Sequence, residues 1–522
     1  MSDAPHAAFH PRASPWVIAI VVTMAPFMEI LDTTIVNVSL PHIAGSLSAS
    51  NDEAAWTLTS YLIANGIVVP ISGWFGRLLG RKRYFLLCVA MFTICSFLCG
   101  IATNLGELVV FRLLQGFFGG GLQPNQQSII LDTFEPSQRG RAFSIVAVGI
   151  IFAPVLGPVL GGWLTDVWSW RWVFLINVPV GVFAFLAVAQ LVEDPPWVKA
   201  DRARLIDVDY VGLSLIAIGF GALQLMLDRG EDYDWFASPT IRMAGLVAAV
   251  GIIGATSWLL MTEKPVVDLR VLADRNFAVA SVVCFGIGLT LYSSMVVIPL
   301  LAQGWLGYTA LWTGMVLSPG AAVMIVMIPL VGRVVLPNIS TRYIIGFGFF
   351  SIGCASLYAM RLTPDVDFWT LALFRGFQTV GLGFLFVPNS TIGYSTLRRE
   401  LNADATALYS MFRNIAGSIG IALATSITAS QLQTHRAYLA RHLSPLDQPY
   451  DDLLSRYSHT LRSLGYAADG ANHAAMGLIN ATLNKQAAIM AYGDVFAVSA
   501  VAAFAVVPLT FLFRSGIAGR GR

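Results

Sequence analysis

Charge is what this 522-residue chain has least of: only 12% of its residues are Asp, Glu, Lys or Arg, about half the share of a soluble globular domain. Lysine is nearly missing and occurs only at Lys82, Lys199, Lys264 and Lys485. None of these sits in the G-x-x-x-x-G-K-[ST] setting of a phosphate-binding loop, so any pumping must draw on an ion gradient. The five cysteines, Cys88, Cys95, Cys99, Cys284 and Cys354, all fall in apolar stretches. That excludes a disulfide framework and a CxxC metal pattern. The seven histidines lie outside the apolar runs or at their ends, which argues against a buried histidine relay. A net charge of +2, spread over loops, gives no nucleic-acid footprint. No HxxxxD, HExxH or DDxxD cluster marks a lipid-modifying enzyme. The chain reads as a non-enzyme, with neither cofactor nor metal.

What is abundant is apolar length. Hydrophobic residues make up 56% of the chain, in runs long enough to cross a hydrocarbon core of about 30 Å. Hydropathy and turn signals predict fourteen spans near 16–41, 53–75, 84–103, 107–131, 140–165, 172–192, 208–228, 241–261, 277–303, 309–332, 342–361, 368–391, 404–430 and 487–513. The fold class is therefore an all-α polytopic membrane protein, with lipid around it. The polar start, "MSDAPHAAFHPRASP", precedes a first helix that reads as retained rather than as a signal peptide. Lys and Arg concentrate in alternate loops, including Arg81, Lys82, Arg83, Arg139, Arg141, Arg398 and Arg399. By the positive-inside rule both termini are cytoplasmic.

The segment "FRLLQGFFGGGLQPN" from Phe111 returns as "FRGFQTVGLGFLFVPN" from Phe374. Both share F-R-x-x-Q, a glycine-rich middle and a Pro-Asn end. The repeat predicts six-span halves over residues 1–193 and 276–522, a linker with two extra spans over 194–275, and an outer loop over 430–486. Repeats of this kind mark secondary transporters, whose substrate site lies near the midplane. Arg375 is then the repeat mate of Arg112, and Gln378 of Gln115. With Gln123, Asn125, Arg413 and, on the first helix, Thr33 and Asn37, these are the candidate cavity residues.

Two acids, Glu29 and Asp32, stand in the middle of the first span, where a charge costs at least a few kcal/mol. Three residues apart, they share a helical face. Burial and a neighbouring like charge both favour a protonated carboxyl, as proton exchange inside a membrane requires. Arg112 is the evident counter-charge. The fifth span holds "GIIFAPVLGPVLGGW", whose Pro154, Gly157, Pro158, Gly161 and Gly162 permit a bend and close helix approach. "GWFGRLLGRKRYF" makes a tight turn through Gly73, Arg77, Gly80, Arg81 and Lys82 on the basic side.

These motifs carry a resemblance to the major facilitator superfamily, and within it to the fourteen-span drug:proton antiporters of the EmrB/QacA type. "LDTTIVNVSLP" resembles the subfamily's first-helix signature, and "GWFGRLLGRKR" the loop signature G-x-L-A-D-R-x-G-R-[KR]. "RLLQGFFGGG" resembles the fourth-helix motif and "APVLGPVLGGW" the antiporter motif. "WRWVFLINVPVG" is also typical. The resemblance implies the major facilitator fold and proton-driven export of amphipathic toxic compounds from the bacterial inner membrane. It implies Asp32 as the protonated acid, Arg112 as the coupling arginine and Gly157, Pro158, Gly161 and Gly162 as the hinge. One departure stands out: Arg77 occupies the place of the signature's Asp. EmrB-like relatives imply a periplasmic membrane-fusion adaptor and an outer-membrane channel as partners, whereas QacA-like ones act alone. The alternative within the class is a dedicated exporter of one metabolite or siderophore; a membrane-embedded enzyme or a scaffold would leave Asp32 and Arg112 unexplained.

Overall fold

In the computed structural model, residues 11–135, 137–195, 209–441, 443 and 448–514 are described. The first ten residues of the polar N-terminal stretch and Lys199 of the linker lie outside them. Among the described residues fourteen helical segments are long and apolar enough to cross a membrane, counting the bent Arg139–Val167 pair as one. They are α1 (Pro15–Ser46), α2 (Asp52–Leu79), α3 (Arg81–Ile101), α4 (Leu105–Thr133), α5 (Arg139–Val167), α6 (Trp172–Leu191), α7 (Tyr210–Arg229) and α8 (Pro239–Met261). Then follow α9 (Arg275–Trp305), α10 (Trp312–Asn338), α11 (Thr341–Ala359), α12 (Phe368–Gly393) and α13 (Asn402–Ala440). A short amphipathic helix, α14 (Gln448–Ser463), precedes the last span, α15 (Ala468–Leu512).

Local chemistry fixes where these helices start. The first amides of a helix have no internal acceptor, and polar side chains take them at several entries. Ser50 and Glu53 form a capping box at α2, and Asn104, Asp209, Asp274 and Asp367 accept backbone N–H groups at α4, α7, α9 and α12. Large apolar side chains face outward, among them Leu373, Val501 and Ile253 at 71, 69 and 67% exposure. Lipid is the solvent for such a surface.

The packing repeats along the chain. α1 lies on α5 and α2 on α4, and likewise α9 lies on α13 and α10 on α12. Contacts between the first six and the last six spans also form a matched pair, α2 against α13 and α10 against α5. α7 and α8 pack on each other, and α7 docks on α2 and touches α13. Thr59 donates to Asp228, and Arg229 stands 5.0 Å over the Trp56 ring.

Two elements depart from the sequence expectation. The outer loop, whose apolar spacing predicts short amphipathic helices, holds one of them, α14, but is mostly continued helix: α13 runs to Ala440 and α15 begins at Ala468. No breaker interrupts residues 430–440, and apolar side chains recur there at helical spacing. At 39 residues α13 is about 58 Å long, so it projects well beyond the membrane. His435 meets Asp494 at 2.7 Å and Arg436 meets Asn484 at 2.9 Å, which ties the projection to α15, while α14 packs on α15 from outside. α4 is interrupted at Gly120 and Gly121. A side chain on Gly120 would reach within 2.8 Å of the Asn65 carbonyl, so the glycines serve close approach to α2.

Candidate functional site

Asp32 and Arg112 are both fully buried, and they meet. Arg112 Nη1 donates to Asp32 Oδ2 at 2.5 Å, while Gln115 Nε2 and Asn177 Nδ2 donate to Oδ1 at 3.2 and 2.7 Å. The carboxylate thus receives three hydrogen bonds and one formal positive charge. Arg112 also donates through Nη1 to Gln115 Oε1 at 2.9 Å and through Nε to the Thr57 carbonyl at 3.1 Å. Its guanidinium lies 4.2 Å over the Tyr61 ring, a cation–π contact. Asn177 is held in turn by Ser96, at 3.0 Å. Five helices, α1, α2, α3, α4 and α6, therefore build one closed site. Sequence reasoning found Asp32, Arg112 and Gln115 but missed Asn177, Ser96 and Tyr61. Asn177 was available as the single amide within "WRWVFLINVPVG".

Glu29 belongs to a different set. Asn65 Nδ2 donates to its Oε1 at 2.9 Å and Gln123 Nε2 to its Oε2 at 3.0 Å. Arg413 Nη2 donates to Gln123 Oε1. The Gln123 amide therefore bridges a carboxylate of α1 and a guanidinium of α13, linking the first six spans to the last six. The two acids do not share one site, because three residues of helix turn them about 60° apart and each meets different neighbours. A cavity of 30 Å³ beside Arg413, lined by Gln127, Phe143, Ile150, Cys284 and Tyr409 among others, has room for about two waters.

The remaining cavity candidates disperse. Thr33 spends its hydroxyl on the Glu29 carbonyl at 3.0 Å, and Asn37 is exposed. Asn125 donates to the Arg81 carbonyl at 2.8 Å and so belongs to the basic face. Arg375 Nη1 donates to Gln378 Oε1 at 2.8 Å and to Ser294 Oγ at 3.2 Å, deep among α9, α10 and α12.

On the basic face the departure at Arg77 finds its reason. Arg77 pairs with Asp404 of α13 and donates to the Val266 carbonyl at 3.0 Å. The acid is thus on the opposite helix, across the seam from Arg77. Arg81 pairs with Asp132, which also accepts from Asn402 at 3.3 Å. The hydroxyls of Ser128 and Thr406 share a hydrogen bond of 2.6 Å. Gly73 lets the helices close, since a Cβ there would stand 2.8 Å from the Ala403 carbonyl. Gly80 turns the chain at φ +84°, and Lys82 donates to the Ala189 carbonyl at 2.7 Å. Sequence reasoning missed Asp404, an acid at a membrane edge with nothing in its neighbours to single it out.

α5 is bent by 42° between Arg139–Pro154 and Leu156–Val167, a kink of the kind that internal proline produces; Pro154 and Pro158 both lie inside the helix. Two of the motif's glycines face α1: a Cβ on Gly157 would stand 2.1 Å from Thr34 Oγ1, and one on Gly161 3.1 Å from the Ile35 carbonyl. Gly162 meets nothing within 4 Å. The contact between halves uses other α5 residues, with Val159 facing Gly314 of α10 and Ser144 facing Gly332.

Comparison with known proteins bears on the family and the fold. The Major Facilitator Superfamily profile aligns with residues 22–421. The chain is 34% identical to the fatty acid resistance protein FarB of Neisseria gonorrhoeae, over 95% of this chain and 96% of that one. It is also 34% identical to the multidrug export protein EmrB of Escherichia coli K12, over 93 and 92% of the two chains. Among solved structures, the human organic anion transporter MFSD10 superposes with a TM-score of 0.57 at 12% identity, covering 94% of this chain and all of that one; at that identity the likeness speaks for the fold alone. The chain belongs to the Major Facilitator Superfamily.

Proposed function

We propose that this protein exports amphipathic compounds across a bacterial inner membrane in exchange for protons, by alternating access between two six-span halves. The observation that carries the reading is the buried Asp32–Arg112 pair. An acid at zero exposure, ringed by one guanidinium and two amides, is an expensive arrangement to keep in a membrane. Its use is that protonating Asp32 releases Arg112, and the same exchange reversed returns the proton. Glu29, joined through Gln123 to Arg413, sits where the halves meet and supplies a second exchangeable acid. The relatives named for fatty acid resistance and for multidrug export support an amphipathic cargo.

The basic face, with both chain ends, lies in the cytoplasm, and Arg77–Asp404, Arg81–Asp132 and Ser128–Thr406 hold it shut in the state described. The helical projection of α13, α14 and α15 stands on the other side and gives a membrane-fusion adaptor a surface to grip.

The test is proton release from purified protein in weak buffer on adding ethidium, with wild type beside Asp32→Asn and Glu29→Gln. Release lost in Asp32→Asn supports the reading. Release that persists in both single variants and in their combination would sink it.

A further inference from the structure

The deep charges of this bundle do not balance. Glu29, Asp32, Arg112, Arg375 and Arg413 lie well inside the spans, two acids against three bases. Asp32 is taken by Arg112, and Glu29 reaches Arg413 through Gln123. Arg375 is left over. It is 5% exposed, and its side-chain hydrogen bonds go to Gln378 and Ser294, both uncharged.

Comparison with its repeat mate shows what is missing. The Arg–Gln bond is reproduced, at 2.9 Å for Arg112 and Gln115 and at 2.8 Å for Arg375 and Gln378. The third member changes: where the Asp32 carboxylate of α1 accepts from Arg112, the Ser294 hydroxyl of α9 accepts from Arg375. That hydroxyl gives its own proton to the Leu291 carbonyl at 2.8 Å and brings no negative charge. The aromatic cover changes too. Tyr61 of α2 lies over Arg112, whereas α10 sets Gly320 against the stem of Arg375, where a Cβ would stand 3.1 Å from its Cγ. Among the described residues Arg375 has no ring over it and no carboxylate beside it; both its hydrogen bonds leave from Nη1, so Nε and Nη2 are free, whereas in Arg112 Nε is taken and Nη2 alone is free.

A buried guanidinium without a counter-charge is strongly unfavourable, and one with two nitrogens free presents the fork that binds anions. We infer that Arg375, with Gln378 and Ser294, forms a binding site for a monovalent anion, which supplies at the free Nε and Nη2 the counter-charge that Asp32 supplies in the first half. The anion is either inorganic, such as chloride, or the carboxylate of a transported molecule. Both offer the one charge and the acceptor positions that the site requires. The second half thereby holds a charge from outside where the first half holds its own, and the site stands whether or not the exporter reading does.

The experiment measures thermal unfolding of the full-length protein in a neutral detergent at fixed ionic strength, with gluconate, a carboxylate whose five hydroxyls keep it hydrated and out of a buried site, replaced stepwise by chloride or by 1-naphthoate. Linkage raises Tm by about 1 °C per tenfold increase above Kd for a chain of this size. The response is expected to vanish in Arg375→Gln and in Ser294→Asp, the latter carrying its counter-charge internally. Ser294→Asp in gluconate should be at least as stable as wild type in chloride, which separates a filled site from a misfolded one. A response to chloride alone assigns an inorganic ion, and one to naphthoate alone assigns the carboxylate of a cargo. Equal Tm in all three salts, or a response that survives in Ser294→Asp, would overturn the assignment. No step of the measurement involves transport, so failure here leaves the exporter reading untouched, and the reverse also holds.

Discussion

Exchanging the charges of Arg77 and Asp404 tests whether the basic face is held shut by the pair that replaces the expected acid. The Arg77 side chain is 18% exposed and that of Asp404 4%. Deleting one partner of a fully buried pair costs about 3–5 kcal/mol. Without Asp404, Arg77 keeps the Val266 carbonyl and some contact with water, and without Arg77, Asp404 keeps the charge of Arg81 nearby, so about 2 kcal/mol is the expected loss for either single alanine. If that energy is present only in the closed state, the closed-to-open ratio falls roughly 30-fold, at 1.4 kcal/mol per tenfold. The readout is alkylation of a cysteine at Thr406→Cys, on a background without the native cysteines, because Thr406 is buried against Ser128 across the same seam. Arg77→Ala and Asp404→Ala should each label roughly 30 times faster. Arg77→Asp combined with Asp404→Arg should return most of the way to the parent rate. A swapped pair labelling as fast as the product of its single changes would refute the latch, because a double-mutant cycle would then show no coupling.

The other expectations are shorter. Asp32→Asn leaves Arg112 buried without its acid and sets an amide N–H against other donors; substrate-driven proton release should be lost and coupled export in inverted vesicles fall at least 100-fold. Asn177→Leu removes one hydrogen bond to the same carboxylate, a loss of about 1.5–3 kcal/mol, and should lower export roughly 10- to 100-fold with folding intact by circular dichroism. Gln123→Leu cuts the bridge between Glu29 and Arg413 and should slow export about tenfold, while Asp32-dependent proton release in detergent persists. Gly157→Ala drives a Cβ against Thr34 and should lower Tm and export together; adding Thr34→Gly, which leaves the backbone carbon of residue 34 at 3.3 Å as the nearest atom, should restore both.

The Asp32 site was legible because a carboxylate and a guanidinium in apolar runs have few explanations, and each implies the other. Its uncharged members were not. Asn65 and Asn177 cost a span much less than an ion does, so only packing shows that they are aimed at Glu29 and Asp32. Spacing put the two acids on one face, yet the 60° between them is enough for α4 and α6 to claim one and for α2 and α4 to claim the other. Arg77 was visible as a departure, but its remedy, Asp404, lies more than 300 residues along the chain and becomes meaningful only once α13 crosses α2. Hydropathy located the spans but gave no full length for α13 and α15, because a helix leaving the membrane keeps its hydrogen bonds while its outer surface turns polar.

One helix connects the parts. Asp404, Thr406 and Arg413 all belong to α13, and nine residues of helix separate the first from the last by about 13.5 Å. The partners they meet, Arg77, Ser128 and Gln123, all belong to the first six spans. A helix of this length moves as a body on the scale of one turn. Any tilt that parts Arg77 from Asp404 therefore pulls Arg413 along and changes what Gln123 can offer Glu29. Glu29 is in this way positioned to register whether the basic face is open, whereas Asp32, whose partners all lie within the first six spans, is not. On the proposed reading, two exchangeable acids on one helix answer to different surroundings: Asp32 to the interior of its own half, Glu29 to the relation between the halves. Coupling then needs no path of contacts between the acids beyond α1 itself, because both stand on it a single turn apart.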